Sequence, residues 1–394
     1  MKHTVKATLS LLLSLVLLLA MFTGCANNSN NGGTADNNGG DSADTGAETY
    51  VIGVDCPMTG GNAGFGEQMT LGAQMAVDKV NEEGGINGIM VELDIQDDKS
   101  DPKEAATIAT KFCADEDVVA IFGFYNSSCC LAALPIINEA KKVTICTGSN
   151  PDISNHNQTY GFRVEPSDNQ QAVYAAEWMV EDGRQKVAIL YETSDYGYGQ
   201  EEIITDVLTE AGAEIVCSEA YVINETRDFT NILTKVKNSG ADSMFLAGTY
   251  TEGALIVKQQ QSLGMNLPCY SSSSMFEIPF LEAAGDAAEG VKVQGVLVPD
   301  DPSEVVQDFQ KEYKEKFGED KTAGTFSGHG YASVMMICDA LKAVGTDPDA
   351  MAEYIATTTF DTVYGQVAFN ETHDLIFDSL TRLVVEDGKF VVVD

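Results

Sequence analysis

The chain has 394 residues, with 60 Asp or Glu against 23 Lys or Arg and a formal net charge of −37. With 44% hydrophobic and 8% aromatic residues it is globular in composition, long enough for about two domains. The charge excludes nucleic acid, which needs clustered Lys/Arg, and docking on an anionic membrane through a basic patch; a single long apolar stretch excludes a multi-pass membrane protein.

That stretch opens the chain. Lys2, His3 and Lys6 form a basic start, and residues 9–21 are an apolar run broken only by Ser10 and Ser14. The run is too short for a comfortable span and has the shape of a secretory signal. Phe22-Thr23-Gly24-Cys25 follows. Small residues before a Cys resemble the lipobox of bacterial lipoproteins, in which that Cys becomes the lipidated first residue of the mature chain. Phe22 departs from the aliphatic residue usual there. The alternative is a plain signal peptide or an uncleaved anchor with an incidental Cys25. Residues 26–49 hold no large apolar residue and no Lys or Arg, and read as a flexible tether. The tether's acids are Asp36, Asp41, Asp44 and Glu48, so 56 of the 60 acids belong to residues 50–394.

From Tyr50 onward, short β-branched runs alternate with helical patterns. VIGV (51–54) is a strand, 66–83 a helix with Leu71, Met75 and Val80 on one face, and MVELDIQ a strand. Residues 102–115 are a helix opened by Asp101-Pro102, VVAIFGF a buried strand, 128–140 a helix and VTICTG a strand. This β-α-β-α order implies a parallel sheet with helices on both faces. A second unit of the same kind begins near Pro166. Its first helix, 168–182, is capped by Ser167 or Asp168. Then come KVAILYE, helix 199–211, AEIVCSEAY, helix 228–239, SMFLAGTY, helix 252–264 and LPCYSSS. VKVQGVLVP runs back toward the first unit, and helices at 303–317, 328–345 and 348–357 follow. LTRLVVE and KFVVVD close the chain as a hairpin around Asp387-Gly388.

Enzyme signatures are missing. The four His (3, 156, 329 and 373) form no HExxH, and there is no GxSxG, SxxK or GxxxxGK[ST] motif. Gly197-Tyr198-Gly199 follows a strand, but the third glycine of a dinucleotide fingerprint falls on Glu202. Asp97-Asp98 with Asp101 reads as a solvated loop with an Asp helix cap rather than a Ca²⁺ site. His329 marks a helix start and is not assigned to catalysis; Trp178 reads as core. Besides Cys25 there are eight Cys, none with metal-ligand spacing, and they read as small buried hydrophobes, with a disulfide left open. No cofactor or metal is expected.

Ligands of open parallel sheets bind beyond the carboxyl ends of the strands. Three loops there attract attention: Asp55-Cys56-Pro57-Met58-Thr59-Gly60-Gly61 leading to Phe65, Tyr125-Asn126-Ser127-Ser128, and Thr147-Gly148-Ser149-Asn150-Pro151. Hydroxyls and free N–H groups at a helix start suit a small carboxylate without formal positive charge. Ordinary N-capping by Ser127 or Ser128 is the plainer reading of the second loop.

Taken together, IGVDCPMTGG, GEQMTLGAQMAVDKVNEEGGINGIMVEL, DDKSDPKEAATIATKF, GFYNSSCCLAALPIINEAK, GSNPDIS, FRVEPSDNQQA and DYGYGQ resemble the branched-chain amino-acid type of periplasmic binding protein, the solute-binding component of ABC importers. The resemblance spans 50–394. It implies an α/β fold of type I: two doubly wound, Rossmann-like lobes joined by a three-segment hinge, with lobe 1 at 50–166 and 299–378 and lobe 2 at 167–298 and 379–394. It implies that Ser127 and Ser149 hold the ligand carboxylate, with Ser128 beside them, and that the Thr147 carbonyl receives the ammonium. It places Phe65, Tyr196 and Phe326 at aromatic positions that pack the ligand or close the cleft, and Thr249 and Tyr250 at another. Ser273 occupies the position of the acidic residue that pairs with the amino group, which is a departure; Glu277, four residues on, is the candidate substitute. The implied partners are a small amino acid or related carboxylate, a membrane permease and, through Cys25, the membrane itself. Inside so anionic a body, a site built from neutral hydroxyls favours a zwitterion or neutral solute over a dianion. A ligand-sensing receptor of the same fold is the second reading, disfavoured because the chain ends at Asp394 without a membrane helix; an α/β enzyme is the third.

Overall fold

The computed structural model describes residues 49–155, 158–377 and 380–393. The signal, the lipobox with Cys25 and nearly all of the tether lie outside the described residues.

The first lobe starts with β1 (Thr49–Cys56), α1 (Ala63–Glu82), β2 (Met90–Asp97), α2 (Pro102–Ala114), β3 (Val118–Gly123), α3 (Ser127–Ala140), β4 (Thr144–Cys146), α4 (Asp152–Asn155) and β5 (Gly161–Arg163). Its five strands are all parallel, in the order β2-β1-β3-β4-β5. Ile52, Val54, Ile121, Phe122 and Ile145 are fully buried, as expected of strands covered on both faces. α2 begins where Asp101 accepts from the Lys103 N–H at 2.8 Å and Pro102 supplies the first turn. β5 has three residues, too few to stand out in the sequence.

The second lobe continues with α5 (Asp168–Glu181), β6 (Lys186–Glu192), α6 (Asp195–Glu210), β7 (Glu214–Tyr221), α7 (Thr230–Ser239), β8 (Ser243–Ala247), α8 (Tyr250–Ser262), β9 (Cys269–Tyr270), a 3₁₀ turn at Ser273–Met275, α9 (Ile278–Ala284) and β10 (Lys292–Gly295). Then come α10 (Glu304–Phe317), α11 (Thr325–Val344), α12 (Pro348–Thr357), the small hairpin β11 (Phe360–Thr362) and β12 (Gly365–Val367), and finally β13 (Thr381–Glu386) and β14 (Lys389–Val392). The second sheet runs β14-β13-β10-β9-β8-β6-β7, parallel from β10 to β7, with β13 antiparallel to both β10 and β14. α6 starts four residues earlier than its apolar pattern suggests. Ser194 caps it, accepting from the Gly197 N–H at 3.1 Å. A Cβ on Gly197 would lie 2.1 Å from the Glu192 carbonyl oxygen, so close packing explains that glycine.

The cores record the path of the chain. Phe326, Val334, Ile337, Leu341 and Ile355 pack with the first sheet, and Leu383 and Val385 with the second. The chain therefore passes between lobes after β5, after β10 and before β13. The cysteines outside the signal are free thiols, and Cys56, Cys129, Cys130, Cys146, Cys269 and Cys338 are buried. Burial pushes the Cys269 and Cys338 thiols up to about 12. Trp178 is a core residue of the second lobe.

Arg163, at the end of β5, is 1% exposed. Its guanidinium donates to the carbonyls of Ser149 (3.0 Å) and Asn150 (2.8 Å), to Asp374 Oδ1 (2.8 Å) and to Ser154 Oγ (2.6 Å). One side chain thus joins the loop after β4 to the strand-like segment that precedes the last crossing. Arg163→Met is expected to lose about 3–5 kcal/mol, because it leaves the Asp374 carboxylate without its cation and takes one donor from each of two buried carbonyls. Urea denaturation measures it; an unchanged midpoint would show that water replaces the guanidinium.

Candidate functional site

The carboxyl ends of β3 and β4 form one wall of a cavity between the lobes. Phe124 adopts a left-handed backbone (φ 64°) and turns the chain sharply into Tyr125, Asn126 and α3. The N-cap position of α3 is Asn126, whose side chain makes no capping hydrogen bond. The helix start is therefore open, with its first N–H groups free of a side-chain acceptor. Ser127 Oγ accepts from the Asn150 N–H (3.2 Å), and the Ser149 carbonyl accepts from the Asp168 N–H (2.8 Å). Thr147 Oγ1 is buried and has no hydrogen-bond partner.

The facing wall comes from the second lobe. Tyr196, in the first turn of α6, meets Ser272 Oγ (2.6 Å) and Ser274 Oγ (2.8 Å) through its hydroxyl. Thr249 stands at the start of α8, and Ser273 and Ser274 belong to the 3₁₀ turn after β9. Tyr196, Thr249, Ser273 and Ser274, with Tyr125, Asn126, Ser127, Thr147, Ser149, Phe326 and Glu165, line a narrow, water-sized cavity of about 30 Å³. Phe65 stacks on Tyr125 (ring centroids 4.3 Å) and meets Phe326 edge-on (5.0 Å), so it supports the aromatic wall from behind.

Hydrogen bonds hold the lobes together around the cavity. The Asp195 N–H donates to Ser128 Oγ (3.1 Å), and Asn150 Nδ2 donates to the Asp195 carbonyl (2.6 Å). Across the other side, the Gly61 N–H donates to Asn224 Oδ1 (3.2 Å) and Thr251 Oγ1 donates to the Gly61 carbonyl (2.7 Å). Gln68 donates to Glu277. Tyr250 packs its ring against Phe65 (4.9 Å).

The profile of the family Periplasmic binding protein matches residues 49–388. The chain belongs to that family. An amino acid binding protein of Pseudomonas aeruginosa is 30% identical over 349 residues, covering 86% of this chain and 91% of the relative. A leucine-binding protein of Thermotoga maritima, 27% identical, superimposes with a TM-score of 0.80 over 88% of this chain and 98% of its own. A branched-chain amino acid transporter substrate-binding protein of Streptococcus pneumoniae, solved with isoleucine, is 26% identical, with a TM-score of 0.79 over 88% of this chain and 99% of its own. The fold is that of a type I periplasmic binding protein of the branched-chain amino-acid kind, and the role is solute binding outside the cytoplasm.

In this binding protein the sequence-picked residues divide into groups. Ser127, Thr147, Ser149, Tyr196, Thr249, Ser273 and Phe326 line the cavity. Phe65 lies behind it, Tyr250 packs on Phe65 outside the lining, and the Ser128 hydroxyl is used in the clasp to Asp195. Asp97 accepts from the N–H groups of Met58, Thr59 and Lys99 and from the Thr59 hydroxyl, as a solvated turn would. Asp98 differs from the solvated-loop expectation: it is fully buried near Asp55, whose carboxyl is pushed well up by burial and by Asp98.

Glu165 is the residue that pattern reading missed. It follows the short β5, in an apolar context, immediately before Pro166 and the first crossing. An acidic residue between Val164 and Pro166, just ahead of the Ser167 helix cap, is the signal that was there to find. Glu165 Oε1 accepts from Ser273 Oγ (2.7 Å) and Gln171 Nε2 (2.8 Å), and Oε2 meets His329 Nε2. The Tyr364 hydroxyl meets His329 Nδ1 at 2.6 Å, so a tautomer accepting there donates Nε2–H to Glu165. Glu277, the suggested substitute, is buried and bound to Gln68, and it lies off the cavity lining.

Burial raises the Glu277 carboxyl to about 8, helped by the negative field of Glu165 and opposed by the Gln68 hydrogen bond. Burial likewise raises Asp168 to about 7 and Glu192 to about 7. In the folded protein these groups hold protons that the unfolded chain has released, so the stability they contribute is present below about pH 4 and is lost as pH rises through 7–8. The urea midpoint is expected to rise as pH falls from 8 to 5.5, and Glu277→Gln is expected to flatten that slope. A midpoint that rises with pH over this window would contradict the assignment.

Proposed function

We propose that this binding protein captures a small amino acid or related carboxylate in the cleft between its lobes and delivers it to the permease of an ABC importer. Lobe 1 is residues 50–166 and 299–378; lobe 2 is 167–298 and 379–394. The three crossings between them act as the hinge about which ligand closes the cleft. The open start of α3 carries the reading. Its uncapped N–H groups, the hydroxyls of Ser127 and Ser149, and the dipole of a 14-residue helix favour a carboxylate without any lysine or arginine in the cavity lining. The Thr147 carbonyl receives the ammonium. Tyr125, Phe326 and Tyr196 border the side-chain position, which the cleft opens to admit, and the hydroxyls around them suit polar solutes. The amino-acid-binding relatives support the same class of ligand.

A thermal-shift screen over amino acids, short-chain acids and amides tests this. A ligand at 100 times its dissociation constant is expected to stabilise the protein by about 2.7 kcal/mol. Ser127→Ala and Ser149→Ala are each expected to weaken that ligand by about 1–3 kcal/mol. No shift with any of these compounds removes the ligand class, and unchanged affinity in both variants moves the carboxylate elsewhere.

Cys25 is the proposed lipid attachment site, with residues 26–49 as the tether. Cys25→Ser is expected to abolish incorporation of labelled fatty acid in the producing cell and to release the protein from the membrane fraction. Persistent labelling of the variant would overturn this.

A further inference from the structure

We infer that Glu165 is the specificity-determining acceptor for the ligand's ammonium group, supplied from the first inter-lobe crossing, with Ser273 and His329 as its positioning residues. The inference rests on the amino-acid reading above and names the group that enforces it.

Among the described residues that line the cavity, Glu165 is the one carboxylate, and no lysine or arginine accompanies it. The residue is 2% exposed and its side chain is held from three directions: by Ser273 in the turn after β9, by Gln171 in α5 and by His329 in α11. A carboxylate offers about four acceptor positions. Ser273 and Gln171 both donate to Oε1, and His329 meets Oε2. The position left over belongs to Oε2, on a residue that borders the cavity.

Neighbouring groups leave that position to the ligand. Arg163, two residues upstream, directs its guanidinium to the Ser149 and Asn150 carbonyls, Ser154 and Asp374. Tyr196 is occupied with Ser272 and Ser274. Ser273 spends its hydroxyl on Glu165, so it orients the acceptor and does not itself supply the charge. A buried carboxylate with a free acceptor position on a water-sized space is costly unless a donor, best a cation, completes it. An α-ammonium whose own carboxylate sits at the α3 start is such a donor. The same charge repels a second carboxylate, so acidic side chains are disfavoured.

The test titrates the protein with each common L-amino acid and with the 2-hydroxy acid that carries the same side chain. Wild type is expected to bind at least one amino acid and to prefer it to its hydroxy partner by about 10–100-fold, the worth of a hydrogen bond to a charged group. Glu165→Gln is expected to lose about that factor for the amino acid while the hydroxy acid changes by less than about threefold. Ser273→Ala is expected to reduce the preference partially. If Glu165→Gln does not fold, Glu165→Asp, which withdraws the carboxylate by one methylene, is expected to reduce the same preference. Amino-acid affinity unchanged in Glu165→Gln overturns the assignment and leaves the amino-acid reading standing. An equal loss for both members of a pair shows a purely structural role and also overturns it. Absence of binding by wild type to every amino acid overturns the underlying reading itself.

Discussion

The site depends on a buried guanidinium. Arg163 fixes the Ser149 and Asn150 carbonyls, and so the loop after β4, from the end of the neighbouring strand. It also binds Asp374, just before the chain leaves the first lobe for the last time. Two of the three crossings are thus anchored to the same cation. An ion pair this deeply buried contributes little net stability over a well-packed apolar core, but it does fix geometry, because guanidinium and carboxylate meet in few orientations. The position of Glu165, two residues further along, follows from that anchoring.

Closure over the cavity relies on the backbone. Gly61 and Asp195 contribute main-chain N–H and C=O groups to the clasps, and Asn224, Thr251, Ser128 and Asn150 answer with short side chains. Short partners lose little rotamer freedom on ordering. Ring packing of Phe65 on Tyr250 adds an apolar contact at the same seam. Contacts of this kind are individually modest, and a seam built from them can open and shut around a ligand without breaking either core.

The fold was legible because its elements announce themselves at both scales. Apolar runs such as VVAIFGF and the Asp101-Pro102 helix start map onto β3 and α2 with little error. The loops at strand ends were found because parallel sheets place sites there. What escaped were short elements and long-range partners. β5, β11 and β12 have too few residues to show a period, and α6 begins at Asp195 because Ser194 caps it rather than because of apolar spacing. Ser273 was recognised as a departure from an acidic position, yet its partner Glu165 lies 108 residues away and is brought near only by the crossing. Ser128 looked equivalent to Ser127, but consecutive residues at a helix start point in different directions, and one faces the cavity while the other faces the opposite lobe.

The cysteines carry a consequence for how such a chain reaches its working state. Their free thiols are mostly enclosed by the two cores, and burial keeps those at Cys269 and Cys338 protonated and unreactive. That shelter exists only after folding. In the unfolded chain every thiol is open to oxidation and to mispairing. The chain is therefore in a race: each lobe must enclose its sulfur atoms before an oxidant finds them. Outside the cytoplasm, that protection is only as good as the speed with which each lobe closes over its thiols.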